Sequence, residues 1–236
     1  MIKVGLIYTS TTPELITWVE REIYKQLGKQ VELVSYEDSA ILSETREAGY
    51  VTAKAAARLV TLYTQAVSEG VDAILNLCSS VGEVADAAQD LGKYMGVPII
   101  RIDEEMCRDA VRKGKKIGVL ATLPTTLTPT KNTLQRVARE LGKQITLVDG
   151  LIEGAFGLNQ TEFETLLLKE AKKIKGQVDV ILLCQGSMAY CEEVIEVTHK
   201  IKTVSSPRYG AIALKEALIA KGLLLPIEAK EGGVLC

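Results

Sequence analysis

The phrase VDAILNLCSS, residues 71–80, returns about a hundred residues later as VDVILLCQGS, residues 178–187. A chain that repeats itself at such a distance is built from two copies of one supersecondary unit. The copy extends upstream. Lys3-Val-Gly-Leu-Ile-Tyr8 matches Lys116-Ile-Gly-Val-Leu-Ala121, and a loop rich in Thr and Pro follows each. Helical periodicity comes next, near 13–27 and 129–141, then strand signals at 31–35 and 144–148. A longer helical stretch occupies 45–69 in the first half and 160–175 in the second. The two quoted phrases are apolar with little alternation, as suits strands covered on both faces. Helices are predicted after them, near 81–95 and 188–202. Short strands at 97–100 and 202–204 close the halves.

Strands that alternate with helices predict parallel sheets flanked by helices. The expected class is α/β, with two similar flavodoxin-like lobes related by a pseudo-twofold axis and a site between them. The 236 residues suffice for two such units. No Gly/Ser linker separates them, so a close pairing is expected.

A formal net charge of −2 offers no electrostatic case for nucleic acid. No apolar run approaches the roughly 20 residues of a membrane helix, and no signal peptide is evident. The odd number of cysteines, 5, fits a reducing cytoplasm better than a disulfide framework. Neither a CxxC nor an HxxxH pair is present, so no metal is expected. His199 is the only histidine and falls late in a helical pattern, where it reads as an exposed residue.

Open α/β sheets bind ligands at the carboxyl ends of their strands. Four loops fall there: 9–12, 78–82, 122–128 and 184–188. If the halves face each other, these loops converge on one cleft, with Cys78 and Cys184 on opposite walls. Each cysteine ends a strand and precedes a helix N-terminus, which lowers a thiol's pKa. Cys107, Cys191 and Cys236 lack that setting and read as packing or surface residues. Ser80-Val81-Gly82-Glu83 fits a capping box. Thr12 and Thr128, each before a proline, read as N-caps. Thr9, Ser10, Ser79, Thr122, Gln185, Gly186 and Ser187 are placed to meet a ligand. No Arg or Lys stands in the four loops; Arg208 is the nearest candidate anchor.

Two opposed thiols suit inversion at a carbon acid, where one group removes a proton and the other returns one on the far face. A surrounding rim of hydroxyls and backbone N–H groups suits the developing enolate charge. Two other readings remain: a ligand-binding module without chemistry, and a redox pair closing a disulfide.

The segments Asn76-Leu-Cys78-Ser79-Ser80 and Leu183-Cys184-Gln185-Gly186-Ser187-Met188-Ala189 resemble the paired motifs of the aspartate/glutamate/hydantoin racemase superfamily. That resemblance implies a cofactor-independent racemase or epimerase acting on a small carboxylate substrate. Cys78 and Cys184 would be its acid–base pair, with Ser79 and Ser80 at the substrate carboxylate. It implies a lobe of residues 101–207 inserted into one formed by 1–100 and 208–236, and a homodimer or higher homo-oligomer. Ser-Ser replaces the commoner Asn-Thr after Cys78, which sets glutamate and aspartate specificity in doubt. The superfamily also includes a two-cysteine maleate cis–trans isomerase, which stays open, and a one-cysteine decarboxylase, against which the retention of both cysteines argues.

Overall fold

The structure, a computed structural model, describes residues 1–29 and 31–225. Cys236 and the end of the first lobe's expected range lie outside the described residues. The first half runs β1 (Ile2–Tyr8), α1 (Pro13–Leu27), β2 (Val31–Glu37), α2 (Ser39–Ala48), α3 (Ala53–Ser68), β3 (Ala73–Asn76), α4 (Gly82–Met95) and β4 (Ile99–Arg101). The second half runs α5 (Glu104–Lys113), β5 (Lys116–Ala121), α6 (Pro124–Glu140), β6 (Thr146–Leu151), α7 (Gln160–Ile174), β7 (Val180–Leu183), α8 (Glu192–His199) and β8 (Lys202–Ser205). Helix α9 (Ser206–Ala220) follows. Both sheets are parallel, ordered β2-β1-β3-β4 and β6-β5-β7-β8. The two-lobed α/β architecture expected from the repeat is the one present.

Alternation along each central strand divides the core between two faces. Ala73 and Leu75 of β3 pack with Val4 and Leu6 of β1 and with Ala211, Leu214 and Leu218 of α9. Ile74 faces the other way, toward Leu59 of α3 and Ala85 of α4. Leu214 and Leu218 are both fully buried, each contributing roughly 2 kcal/mol of hydrophobic stabilisation. Helix α9, the last among the described residues, therefore lies on the first sheet.

Several local expectations change. The helical stretch 45–69 is broken. Gly49 takes φ 81° after α2, and Asp38 and Thr52 cap α2 and α3 through their side chains. Glycine has no Cβ to clash in that left-handed conformation, so the break costs little. Helix α5 adds an element to those the sequence pattern predicts, with Met106, Cys107, Ala110 and Val111 as its buried stripe. Thr12 caps α1 as expected, accepting from the Leu15 N–H. Thr128 does not cap: α6 starts at Pro124, leaving Pro129 inside it. The 80–83 capping box does not form, since Val81 precedes α4 without a side-chain cap bond. The Ser80 hydroxyl instead meets Thr126 Oγ1 at 2.8 Å, and Glu83 accepts from Asn132 at 2.8 Å. Both residues reach across to α6, so contact between halves takes precedence over the local cap.

A buried ion cluster joins the halves beside these bonds. The Arg101 side chain is 1% exposed. It donates from Nε to Asp103 Oδ1 at 2.9 Å, from Nη2 to Asp103 Oδ2 at 3.0 Å and from Nη1 to Asp86 Oδ2 at 2.6 Å. Asp86 belongs to α4, and Asp103 leads into α5. Gly82 makes room for the guanidinium: a Cβ there would stand 2.3 Å from Arg101 Nη2. No described helix is long and apolar enough to cross a membrane.

Candidate active site

The loops after β1, β3 and β7 meet at the carboxyl ends of the strands. A cavity of about 70 Å3 lies between them, lined by Thr9, Ser10, Cys78, Ser79, Ser80, Gln185, Gly186 and Ser187. All eight are residues the sequence nominated. Thr122 lines the adjoining groove of about 320 Å3, which shares Ser10, Gln185 and Ser187. Larger grooves exist elsewhere, one beside β4 and one at the amino ends of β5 and β6, and neither is lined by a cysteine.

Cys78 is half-buried and held from several sides. The Thr9 and Ser80 hydroxyls and the backbone N–H groups of Ser80 and Val81 surround its sulfur as potential donors. Below, Asn76 Nδ2 donates to the Cys78 carbonyl at 3.0 Å while its Oδ1 accepts from Tyr63 at 3.0 Å. The donors around the sulfur favour a thiolate, but burial is the larger influence and pushes the thiol's pKa up. The lowered pKa expected from the helix terminus is thus corrected: at neutral pH Cys78 rests as a thiol, surrounded by donors that stabilise the anion when it forms.

Cys184 does not face Cys78. It is 0% exposed and packs among Cys107, Val119, Leu134 and Leu182, near the Thr130 hydroxyl. Apolar surroundings push its pKa far up. The sheet register explains the placement. Val4 pairs with Ala73, and its repeat counterpart Ile117 pairs with Val180. The Leu77 N–H donates to Ile7 O, and the Cys184 N–H donates to Leu120 O. Cys184 is therefore the counterpart of Leu77, and the counterpart of Cys78 is Gln185. Strand side chains alternate, so a shift of one residue turns a group to the opposite face. Across the cleft from Thr9 and Cys78 stand Thr122 and Gln185. Gln185 Oε1 accepts from the Thr122 N–H at 2.8 Å and from the Thr122 hydroxyl at 2.9 Å.

Several lining residues went unnominated: Leu15, Leu42, Leu123 and Phe156, with Thr126. Phe156 sits in a glycine-bearing loop between β6 and α7, where a bulky apolar residue has no core to fill; that was the available signal. Arg208 is not in the cleft but bonds Tyr209 and lies 3.5 Å from Glu192. His199 is half-buried, its Nε2 at 2.9 Å from Leu168 O, and is also outside the cleft. Among the described residues no group of His, Cys, Asp and Glu is arranged to hold a metal.

Two parallel α/β lobes with a polar, thiol-bearing cleft at the strand ends define a small-molecule enzyme of the two-lobed racemase type. The sequence matches the Asp/Glu/Hydantoin racemase family over residues 4–213, and the chain belongs to that family, whose racemases are isomerases. Similar solved structures include glutamate racemase RacE1 from Bacillus anthracis, 19% identical with TM-score 0.73, covering 94% of this chain and 84% of that one. Allantoin racemase from Klebsiella pneumoniae is 14% identical with TM-score 0.66, covering 97% and 92%. Aspartate racemase from Picrophilus torridus is 16% identical with TM-score 0.63, covering 94% and 95%. Comparison with curated proteins returns no match.

Proposed function

We propose that this chain is a cofactor-independent isomerase of a small carboxylate-bearing carbon acid, with Cys78 as its one cleft thiol. The observation that carries this reading is Cys78 in the cavity wall among four hydrogen-bond donors while Cys184 packs in the core. Cys78, once ionised, takes the proton from the acidic carbon. Hydroxyls of Ser79, Ser10 and Ser187 are placed to hold a carboxylate and the enolate charge. The Gln185 amide has no thiol's acidity, so protonation on its side comes from water. The hydroxide left behind takes the proton from Cys78, and thiolate and water are restored. A two-cysteine exchange would need Cys184 to leave an apolar core. A reducing cytoplasm keeps Cys78 a free thiol.

The lone cleft thiol favours a second reading within the same class, cis–trans isomerisation of an unsaturated acid. Thiolate adds to the double bond, the resulting carbanion rotates about a single bond, and elimination regenerates alkene and thiolate. The argument that two cysteines exclude the superfamily's one-cysteine decarboxylation also loses its force.

The test is a screen of carbon acids in deuterated water, read by NMR as loss of the α-proton signal. The Cys78→Ser variant should lose exchange and the Cys184→Ala variant should keep it. Full exchange in Cys78→Ser, or loss in a folded Cys184→Ala, overturns the assignment. An alkene converted without deuterium uptake supports the second reading.

A further inference from the structure

The repeat contains its own comparison, because one lobe presents Cys78 to the cleft and the other presents Gln185 in its place. Asn76 of β3 pairs with Ile7, and Leu183 of β7 pairs with Leu120, the counterpart of Ile7. Asn76 and Leu183 therefore hold the same position in the two sheets, two residues before Cys78 and Gln185. Leu183 is 0% exposed and belongs to the core of Leu120, Leu167 and Ile181. Asn76, 1% exposed, is as deeply buried on the strand face it shares with Ile74. The helices over these faces differ in the same sense. Helix α3 buries Leu59, Tyr63 and Ala66, while α7 buries Leu167, Ala171 and Ile174. A buried polar group costs stability unless its bonds are made, and the second lobe forms the same sheet and helix with apolar residues there.

The polar pair of the first lobe is directed at the cysteine. The Cys78 carbonyl can only accept, so the Asn76 amide atom 3.0 Å from it is Nδ2. Oδ1 then faces Tyr63, whose hydroxyl donates to it at 3.0 Å. Burial pushes the Tyr63 pKa far up, and Arg101 and Asp86, which also act on the phenol, bond each other at 2.6 Å, so the hydroxyl stays a protonated donor. Both ends of the amide are thereby fixed. A peptide unit is planar, so holding the Cys78 carbonyl also sets the direction in which the turn Ser79–Val81 leaves. That turn carries the Ser80 and Val81 N–H groups found around the Cys78 sulfur. The Val81 N–H also approaches the Cys78 carbonyl at 3.4 Å, a long bond that alone holds the turn weakly.

We infer that Tyr63 and Asn76 are positioning residues for Cys78: the pair grips the cysteine's carbonyl and keeps the Ser80 and Val81 N–H groups aimed at the sulfur, where they stabilise the reacting thiolate. Neither residue lines the cavity, so both act through Cys78. The inference rests on the reading that Cys78 is the reacting thiol.

The experiment gives the first lobe an apolar pair like that of the second. In a Cys236→Ser background, the double variant Tyr63→Phe, Asn76→Leu removes both partners of the buried bond, a change that is nearly neutral for stability. Its Cys78 should react with iodoacetamide about tenfold more slowly at pH 7 than the parent's, the worth of one hydrogen bond to a charged sulfur. The rate–pH curve between pH 7 and 9 should move toward higher pH by about one pH unit, because a tenfold smaller thiolate fraction is made up by a tenfold fall in proton concentration. Tyr63→Phe alone keeps the ring and removes one hydroxyl. It should slow the reaction about threefold, and it serves in place of the double variant should that fail to fold. A folded variant whose rate and rate–pH curve match the parent's overturns the inference, even where its stability has dropped, because a merely structural pair leaves the thiol unchanged. Slowed alkylation combined with full substrate exchange in Cys78→Ser supports the positioning of the thiol and counts against the proposed function alone.

Discussion

Replacing Asp103 by alanine should destabilise this protein more than any other single truncation at the junction between its halves. Asp103 supplies two of the three side-chain acceptors of Arg101, at 2.9 and 3.0 Å. The guanidinium is 1% exposed in the folded state. Alanine leaves it with Asp86 alone, whose side chain is 30% exposed. Breaking a buried pair by removing one partner costs about 3–5 kcal/mol, because a desolvated charge is left behind. Total stabilities of about 5–15 kcal/mol make that a large fraction. At about 2–4 °C per kcal/mol for a chain of this size, the melting temperature should fall by on the order of 10 °C. Urea unfolding followed by far-UV circular dichroism, with the denaturant slope unchanged, is the assay. The double variant Arg101→Leu, Asp103→Leu should regain at least half of the loss, since removing both charges removes the desolvation penalty too. A cost below about 1 kcal/mol for Asp103→Ala, or a double variant worse than the single, would refute the reasoning.

Three further outcomes are expected. In a Cys236→Ser background, native protein should be alkylated by iodoacetamide at Cys78 alone among its thiols. The pKa of Cys78 lies above the ordinary thiol value, so the thiolate fraction and the rate should climb with pH from 7 to 9; a plateau before pH 8 contradicts the burial argument. Cys184→Ala should cost about 1–2 kcal/mol in urea unfolding, as for a small group removed from a packed core, while any activity stays within about twofold. Gly186→Ala should cost about 1–3 kcal/mol, because its new Cβ would stand 2.8 Å from Leu15 Cδ1 where α1 meets the cleft loop; a cost under 0.5 kcal/mol, roughly the noise of such measurements, would contradict that contact.

The architecture was legible because the repeat is written in strand and helix periods. Lys3–Tyr8 against Lys116–Ala121 located both central strands, and the loops after them located the cleft. The pairing of Cys78 with Cys184 failed for a reason the sequence also contains. From Val71 and Val178 the two phrases align without a gap only when Cys78 meets Gln185. Matching by residue type favoured sulfur with sulfur, whereas hydrogen-bond register, which a strand obeys, favoured the ungapped match. The capping box at Ser80 is a local pattern, and Thr126, forty-six residues away, competes for the same hydroxyl. Gly49 was visible as a break within 45–69, but the apolar period on either side masked it. Leu15 and Leu42 come to the cleft through tertiary packing, which no local spacing announces.

Unlike walls give the cleft a sense of left and right. In the proposed reaction, a substrate whose proton points toward Cys78, in the cavity wall, lends it to a thiolate; the thiol so formed trades its hydrogen with solvent and can hand one straight back, so the label is lost before configuration changes. The mirror-image substrate points its proton at an amide and has no such shuttle. Incubated separately in deuterated water, the two antipodes should therefore diverge, one washing out ahead of inversion and the other only in step with it.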